Sequence, residues 1–149
     1  MTPDELRDSL VGAWRLISYE ATDVRNGDVV EPFGSRPEGQ ILYTPGGRMS
    51  AQIMRGGRPA FRRGRLEEGQ PGELAAAATG YLAYAGTYEV PAGDTVVHRV
   101  ELSLFPNWVG GTLTRVAALD GDLLRLALPE PGRIWGAIRT GVLVWQRTG

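Results

Sequence analysis

Turn residues recur through this chain at intervals that leave room for little except short strands. Glycine and proline, 21 and 10 of 149 residues, are spread along the whole length and not pooled in a tail. Asn26-Gly27, Pro45-Gly46-Gly47, Gly110-Gly111 and Asp120-Gly121-Asp122 each separate runs rich in β-branched, aromatic or aliphatic residues, which is how antiparallel hairpins are written. The runs read as strands over Gly12–Glu20, Asp28–Glu31, Gly39–Thr44, Arg48–Met54, Thr87–Val90, Thr95–Leu104, Thr112–Leu119, Leu123–Leu128 and Ile138–Arg147. Two helices accompany them. Thr2-Pro3-Asp4-Glu5 has a capping hydroxyl, a proline at the first helical position and acids in the first turn, and Gly12 ends that short element. The alanine run at 75–78 makes Glu73–Tyr84 the best helix, closed by Gly86.

About nine short strands against one substantial helix predict an all-β fold. An antiparallel barrel of about 8–10 strands is favoured over a sandwich, as a single domain spanning 1–149. The length suits one domain, and 42% hydrophobic residues suffice for one core. Residues 55–72 differ in character: five arginines among glycine and proline, followed by Glu67 and Glu68. They read as a polar loop long enough to act as a lid.

Composition removes several chemistries. The chain has no cysteine and one histidine, and its basic residues are all arginine. Disulfides, thiolate nucleophiles, lysine Schiff bases and multi-histidine metal sites are therefore excluded, and no cofactor is expected. A net charge of -1 gives no field to attract nucleic acid or an anionic membrane. No apolar run approaches the length needed to span a bilayer, and Met1–Leu10 lacks the features of a signal peptide, so a cytoplasmic location is expected.

The candidate chemistry centres on Val96–Arg115. His98 alternates with Val96, Val100, Leu102 and Leu104, an apolar face that should look inward. An imidazole there is either a general acid/base or a hydrogen-bonded core histidine. Arg115 alternates with Leu113, Ala117 and Leu119; if inward, its guanidinium needs Glu20, Glu89, Glu101 or a ligand oxygen. Tyr43, Tyr84 and Tyr88 are candidate phenol donors. Met49 and Met54 could contact a flexible ligand, and Gln52 could orient a polar group. Asn107 either contacts ligand or holds its own turn, and Trp108 could stack on a ring at the barrel mouth. Trp14 and Trp145 read as packing residues.

Gly12-x-Trp14, with Arg147 two residues after Trp145, resembles the lipocalin signature, in which a last-strand arginine covers a first-strand tryptophan at the barrel floor. Tyr43-Thr44-Pro45-x-Gly47-x-Met49-Ser50-Ala51-Gln52, Tyr81-Leu82-Ala83-Tyr84-x-Gly86-Thr87-Tyr88, His98 and Phe105-Pro106-Asn107-Trp108-x-Gly110 are similar to the bacterial and fungal lipocalin-like domain family, from about Leu10 to Arg147. That resemblance implies a small cytoplasmic barrel of the kind found in specialised-metabolite pathways.

The expectation is thus a barrel that binds an apolar, polyketide-like molecule. A cofactor-free cyclisation, isomerisation or dehydration would use His98 to move a proton, with Arg115 and Tyr43 holding a substrate oxygen. The competing expectations are a non-catalytic carrier with the same cavity, and an interaction domain whose barrel is packed solid. The partner in the first two cases is a hydrophobic small molecule, and nothing in the sequence argues against a homodimer.

Overall fold

The computed structural model describes residues 1–149. Helix α1 (Pro3–Leu10) leads into β1 (Gly12–Asp23), followed by β2 (Val29–Val30), β3 (Glu38–Tyr43) and β4 (Arg48–Met54). Helix α2 (Pro71–Thr79) precedes β5 (Tyr81–Ala92), β6 (Thr95–Ser103), β7 (Thr112–Asp120), β8 (Leu123–Ala127), β9 (Gly132–Ile134) and β10 (Ala137–Arg147). The order β1-β3-β4-β5-β6-β7-β8-β10 is antiparallel throughout, and β10 pairs back onto β1, from Trp14 opposite Arg147 to Asp23 opposite Arg139. Eight strands therefore close a barrel. The two short strands β2 and β9 lie outside that ring, added to β1 and β10. No helix is long and apolar enough to cross a membrane.

One end is sealed. In α1 the Glu5 amide donates to Thr2 Oγ1 and the Thr2 amide to Glu5 Oε2, a reciprocal cap that fixes where the helix starts. Leu6 and Leu10 are buried on its inner face. Trp14 is wholly buried against them and donates its indole N–H to the Leu10 carbonyl at 2.9 Å. The Arg147 guanidinium lies 4.2 Å from the Trp14 ring centre and donates to the carbonyls of Val11 and Ser9. The floor expected from the tryptophan and arginine positions is present. The loops at 24–37, 55–70, 104–111 and 128–136 all lie at the other, open end.

Three local expectations are corrected. The helix expected to run to Tyr84 stops at Thr79, where the Gly80 amide bonds Ala76, and Tyr81–Tyr84 belong to β5. The alanine run favours helix, but Tyr81, Leu82 and Tyr84 are needed beside β4, where Tyr84 sits opposite Ala51; pairing overrides local propensity. Gly86 consequently closes no helix. It lies within β5 at a shift in the pairing with β6, where a Cβ would collide with the Arg99 carbonyl. That shift places Glu101 as an extra residue between Val100 and Leu102, so the inward alternation of His98 ends at Val100. Leu102 is 71% exposed and Leu104 44%, where both were expected inside.

The loop at 55–72 is built against the open end. Arg55 donates to the Pro32 carbonyl, Arg58 to that of Ala77, and the Arg62 amide to Glu73, while a 3-10 turn forms at Leu66–Glu68. Two of its arginine side chains are thus satisfied by backbone carbonyls.

The seam between first and last strands makes a direct prediction. Replacing Arg147 by alanine removes two charged hydrogen bonds and the ring contact, and should destabilise the barrel by about 2 kcal/mol. Urea unfolding measures this; an unchanged midpoint would show that the seam holds without the arginine.

Candidate functional site

Above the sealed floor the inward residues leave a cavity of about 330 Å³. Seven of the eight barrel strands contribute to its wall, β6 being the exception; the lining is mainly Ile, Leu and aromatic surface, with Trp108 and Ile134 supplied by the open-end segments. A cavity of this size counts against a barrel packed solid. A second recess of about 310 Å³ lies outside the barrel, between residues 55–61, α2 and Trp135.

His98 is fully buried, and both its ring nitrogens are bonded. The Tyr43 hydroxyl lies 2.7 Å from Nε2 and the Tyr84 hydroxyl 2.9 Å from Nδ1. Register explains the convergence: Tyr43 ends β3 pointing inward, and Tyr84 and His98 face the interior from the neighbouring strands β5 and β6. Burial, reinforced by the positive charge of Arg115, pushes the imidazole down to a pKa of about 3. Burial likewise raises Tyr43 well above, and Tyr84 above, the usual phenol value. All three groups are neutral at physiological pH.

Hydrogen-bond demand selects one arrangement of their protons. A neutral imidazole has one N–H and one bare nitrogen, so one tyrosine donates to it and the other accepts. Tyr43 is buried away from the cavity with His98 as its hydroxyl's partner. Were Tyr43 the acceptor, its own proton would be stranded at a cost of about 1–3 kcal/mol. With Tyr43 O–H donating to Nε2 and Nδ1–H donating to Tyr84 Oη, no proton is stranded on the side away from the cavity. The Tyr84 hydroxyl proton is then the free one, and Tyr84 is the member of the three that lines the cavity.

Arg115 also lines the cavity, from β7. Its Nη1 donates to the Thr114 carbonyl at 2.8 Å, and no carboxylate pairs with it. Two of the acids that could have answered it are engaged on the outer surface, Glu101 by Arg48 and Glu89 by Arg99. Trp145, 1% exposed and on the same wall, carries an indole N–H with no partner. Tyr19 completes the polar groups on the barrel strands themselves.

The remaining candidates lie elsewhere. Met49 and Tyr88 are buried near the floor, where Tyr88 donates its hydroxyl to the Thr44 carbonyl. Gln52 and Met54 are on the outer side of β4, with Gln52 bonded to Ser50 and Met54 near Arg58. Asn107 is exposed on a 3-10 turn; its neighbour Trp108 packs edge-on against Tyr84 and reaches the cavity. Tyr19 and the polar role of Trp145 were missed. Alternation from Arg147 back through Trp145 to Leu143 could have placed Trp145 inside, whereas a shift in pairing between Leu16 and Ser18 hides the phase of Tyr19. No group of three His, Asp or Glu side chains converges as a metal site would require.

The profile of the lipocalin-like domain family matches residues 11–148. The chain belongs to that family. This lipocalin-like barrel is also 39% identical, over 106 residues, to the 4'-hydroxy-3'-methoxypropiophenone carrier protein of Aspergillus oryzae. The matched stretch covers 66% of the chain and 96% of that relative.

The buried histidine carries a pH dependence. The unfolded imidazole titrates near 6.5 and the folded one near 3. Above pH 6.5 neither state binds the proton and stability is complete; below it the unfolded state takes up a proton that the barrel refuses, so stability falls as pH drops. Between that point and roughly pH 5, above the carboxylate range, the loss should be about 1.5 kcal/mol. His98→Gln should lose much less over the same interval. Equal slopes in urea unfolding would remove His98 as the cause.

Proposed function

We propose that this lipocalin-like barrel is a non-catalytic carrier that holds a small aromatic carbonyl compound in its internal cavity. The observation that carries this reading is the position of the one imidazole. His98 stands behind Tyr84, off the cavity wall, with both nitrogens engaged and a pKa far below neutrality. Cyclisation, isomerisation or dehydration of a polyketide-like substrate requires a group that takes a proton and returns it near neutral pH. The wall offers hydroxyl, indole and guanidinium donors in its place, and no carboxylate. Donors without a base orient a carbonyl and leave its carbon skeleton alone.

The size and lining fit the same reading. A cavity of about 330 Å³ lies at the small end of the range for ligand sites and suits a single substituted ring with a short side chain. The apolar wall supplies affinity through burial, and Trp108 offers an edge or face to an aromatic guest. The carrier name of the Aspergillus oryzae relative supports a carrier role, and the ligand in that name, a methoxylated hydroxyphenyl ketone, is a single substituted ring with a short side chain, the class of guest proposed for this cavity.

Titration with 4'-hydroxy-3'-methoxypropiophenone tests the proposal. Binding should quench the emission of Trp108 and Trp145, and chromatography after prolonged incubation should return the ketone unchanged. Leu113→Trp, which fills the cavity from β7, should weaken binding roughly tenfold or more while the circular dichroism of the barrel is retained. Conversion of the ketone to a new product would overturn the carrier reading, as would absence of binding.

A further inference from the structure

Resting on that binding reading, we infer that the cavity takes its guest as an oxyanion, an acidic phenol bound as its phenolate, with the charged oxygen at Arg115. Three features of the wall converge on this. Arg115 brings a permanent cation to a mostly apolar enclosure, answered by one backbone carbonyl and no acid. The structure has placed the acids it needs elsewhere: Glu89 and Glu101 hold Arg99 and Arg48 on the outside, and buried Asp23 accepts the Arg25 amide at the open end of β1. Arg115 is half-buried on a mostly apolar wall, where charges are screened less than in open water, so a negative guest gains from it more than a neutral one can.

The other polar groups are also donors. The Tyr84 hydroxyl proton is left over once His98 is satisfied, and the Trp145 indole N–H is buried on this wall with no acceptor. An oxygen with several lone pairs and no proton of its own is the chemistry that such a set lacks. A neutral phenol would bring another O–H to a wall already short of acceptors.

The charged and titratable groups around Arg115 agree in sign. Tyr19 from β1, Tyr43 from β3, Tyr84 from β5 and His98 from β6 are neutral, and Arg133 from the β9 side adds a second positive charge to the wall. The positive charge of Arg115 is felt across the interior: it helps hold His98 unprotonated and pulls against the burial that raises Tyr19 and Tyr84. A guest phenol in the same field should ionise below its ordinary pKa, releasing its proton to solvent as it enters. No covalent step is involved.

The test uses two probes of nearly the same shape, 4-nitrophenol and 4-nitroanisole, buffered below the pKa of the phenol. Binding of 4-nitrophenol should bring up its visible phenolate band and release a proton, and the anisole should bind roughly tenfold or more weakly. Arg115→Met should abolish the band and the discrimination while still binding 4-nitroanisole, which shows that the cavity survives the substitution. Trp145→Phe should reduce the discrimination without abolishing it. Equal affinity for both probes with no phenolate band would overturn this inference and leave the carrier reading standing, as would a band that persists in Arg115→Met. If neither probe bound, this inference would fall, and the ketone titration would decide the carrier reading separately.

Discussion

A ring of eight strands has to be shut, and here one seam does it: β1 against β10, with the Arg147 guanidinium laid over Trp14. An open sheet of this size would leave two bare edges, each a row of unpaired amides and carbonyls. Closure removes them but requires something to fix which residue of the last strand meets which residue of the first. Arg147 sits opposite Trp14 in register and also reaches the carbonyls of Ser9 and Val11, so the plug helix, the first strand and the last strand form one unit. Sealing one end also decides where everything variable goes. The long connections are all on the far rim, and the barrel opens there.

This asymmetry produces a gradient along the barrel axis. Near the floor Leu6, Leu10, Trp14, Met49, Val96 and Leu124 belong to one dense cluster, while towards the rim space remains. His98 is a polar group in the middle of the packed core, and such a group persists only when every donor and acceptor it owns is met. Two tyrosines, Tyr84 from the adjacent strand β5 and Tyr43 from β3 beyond β4, meet both nitrogens, which ties the inner faces of β3, β5 and β6 together. The cost of burying an imidazole is thereby offset, and the consequence reaches the cavity: the bond from Nδ1 sets which way the Tyr84 hydroxyl can donate. His98 acts on the site as a positioning residue, through Tyr84.

Much of the architecture can be read from residue patterns alone, because barrel closure and hairpin turns leave local marks. The Asn26-Gly27 and Asp120-Gly121 turns, the Trp14 and Arg147 positions and the apolar alternation around His98 each point to the observed element. What escapes the sequence is phase. A register shift beside Gly86 turns Leu102 outward, and another between Leu16 and Ser18 leaves Ile17 exposed and brings Tyr19 to the cavity wall. A bulge changes which face a residue occupies without changing composition, so alternation fails beyond it. The site suffered for the same reason. Tyr43, Tyr84, His98 and Arg115 are identifiable as inward polar residues, but only pairing across strands shows that the first three satisfy one another and that Arg115 is left without an acid.

That difference separates a carrier from an enzyme more sharply than any single residue does. A catalytic site keeps a group half-satisfied, so that its proton affinity lies near the working pH. In this barrel the titratable core has been driven the other way, with the imidazole low, the phenols high and all of them neutral. The groups with donors to spare are instead a guanidinium, an indole and one hydroxyl. Such groups lower the free energy of a bound oxygen without offering it a route to react. On the proposed reading, a guest oxygen that meets Arg115 would make the filled barrel more stable than the empty one. Occupancy and barrel stability would then be linked through that residue. Under the carrier role proposed above, that linkage is the useful property, and a reactive group on the wall would defeat it.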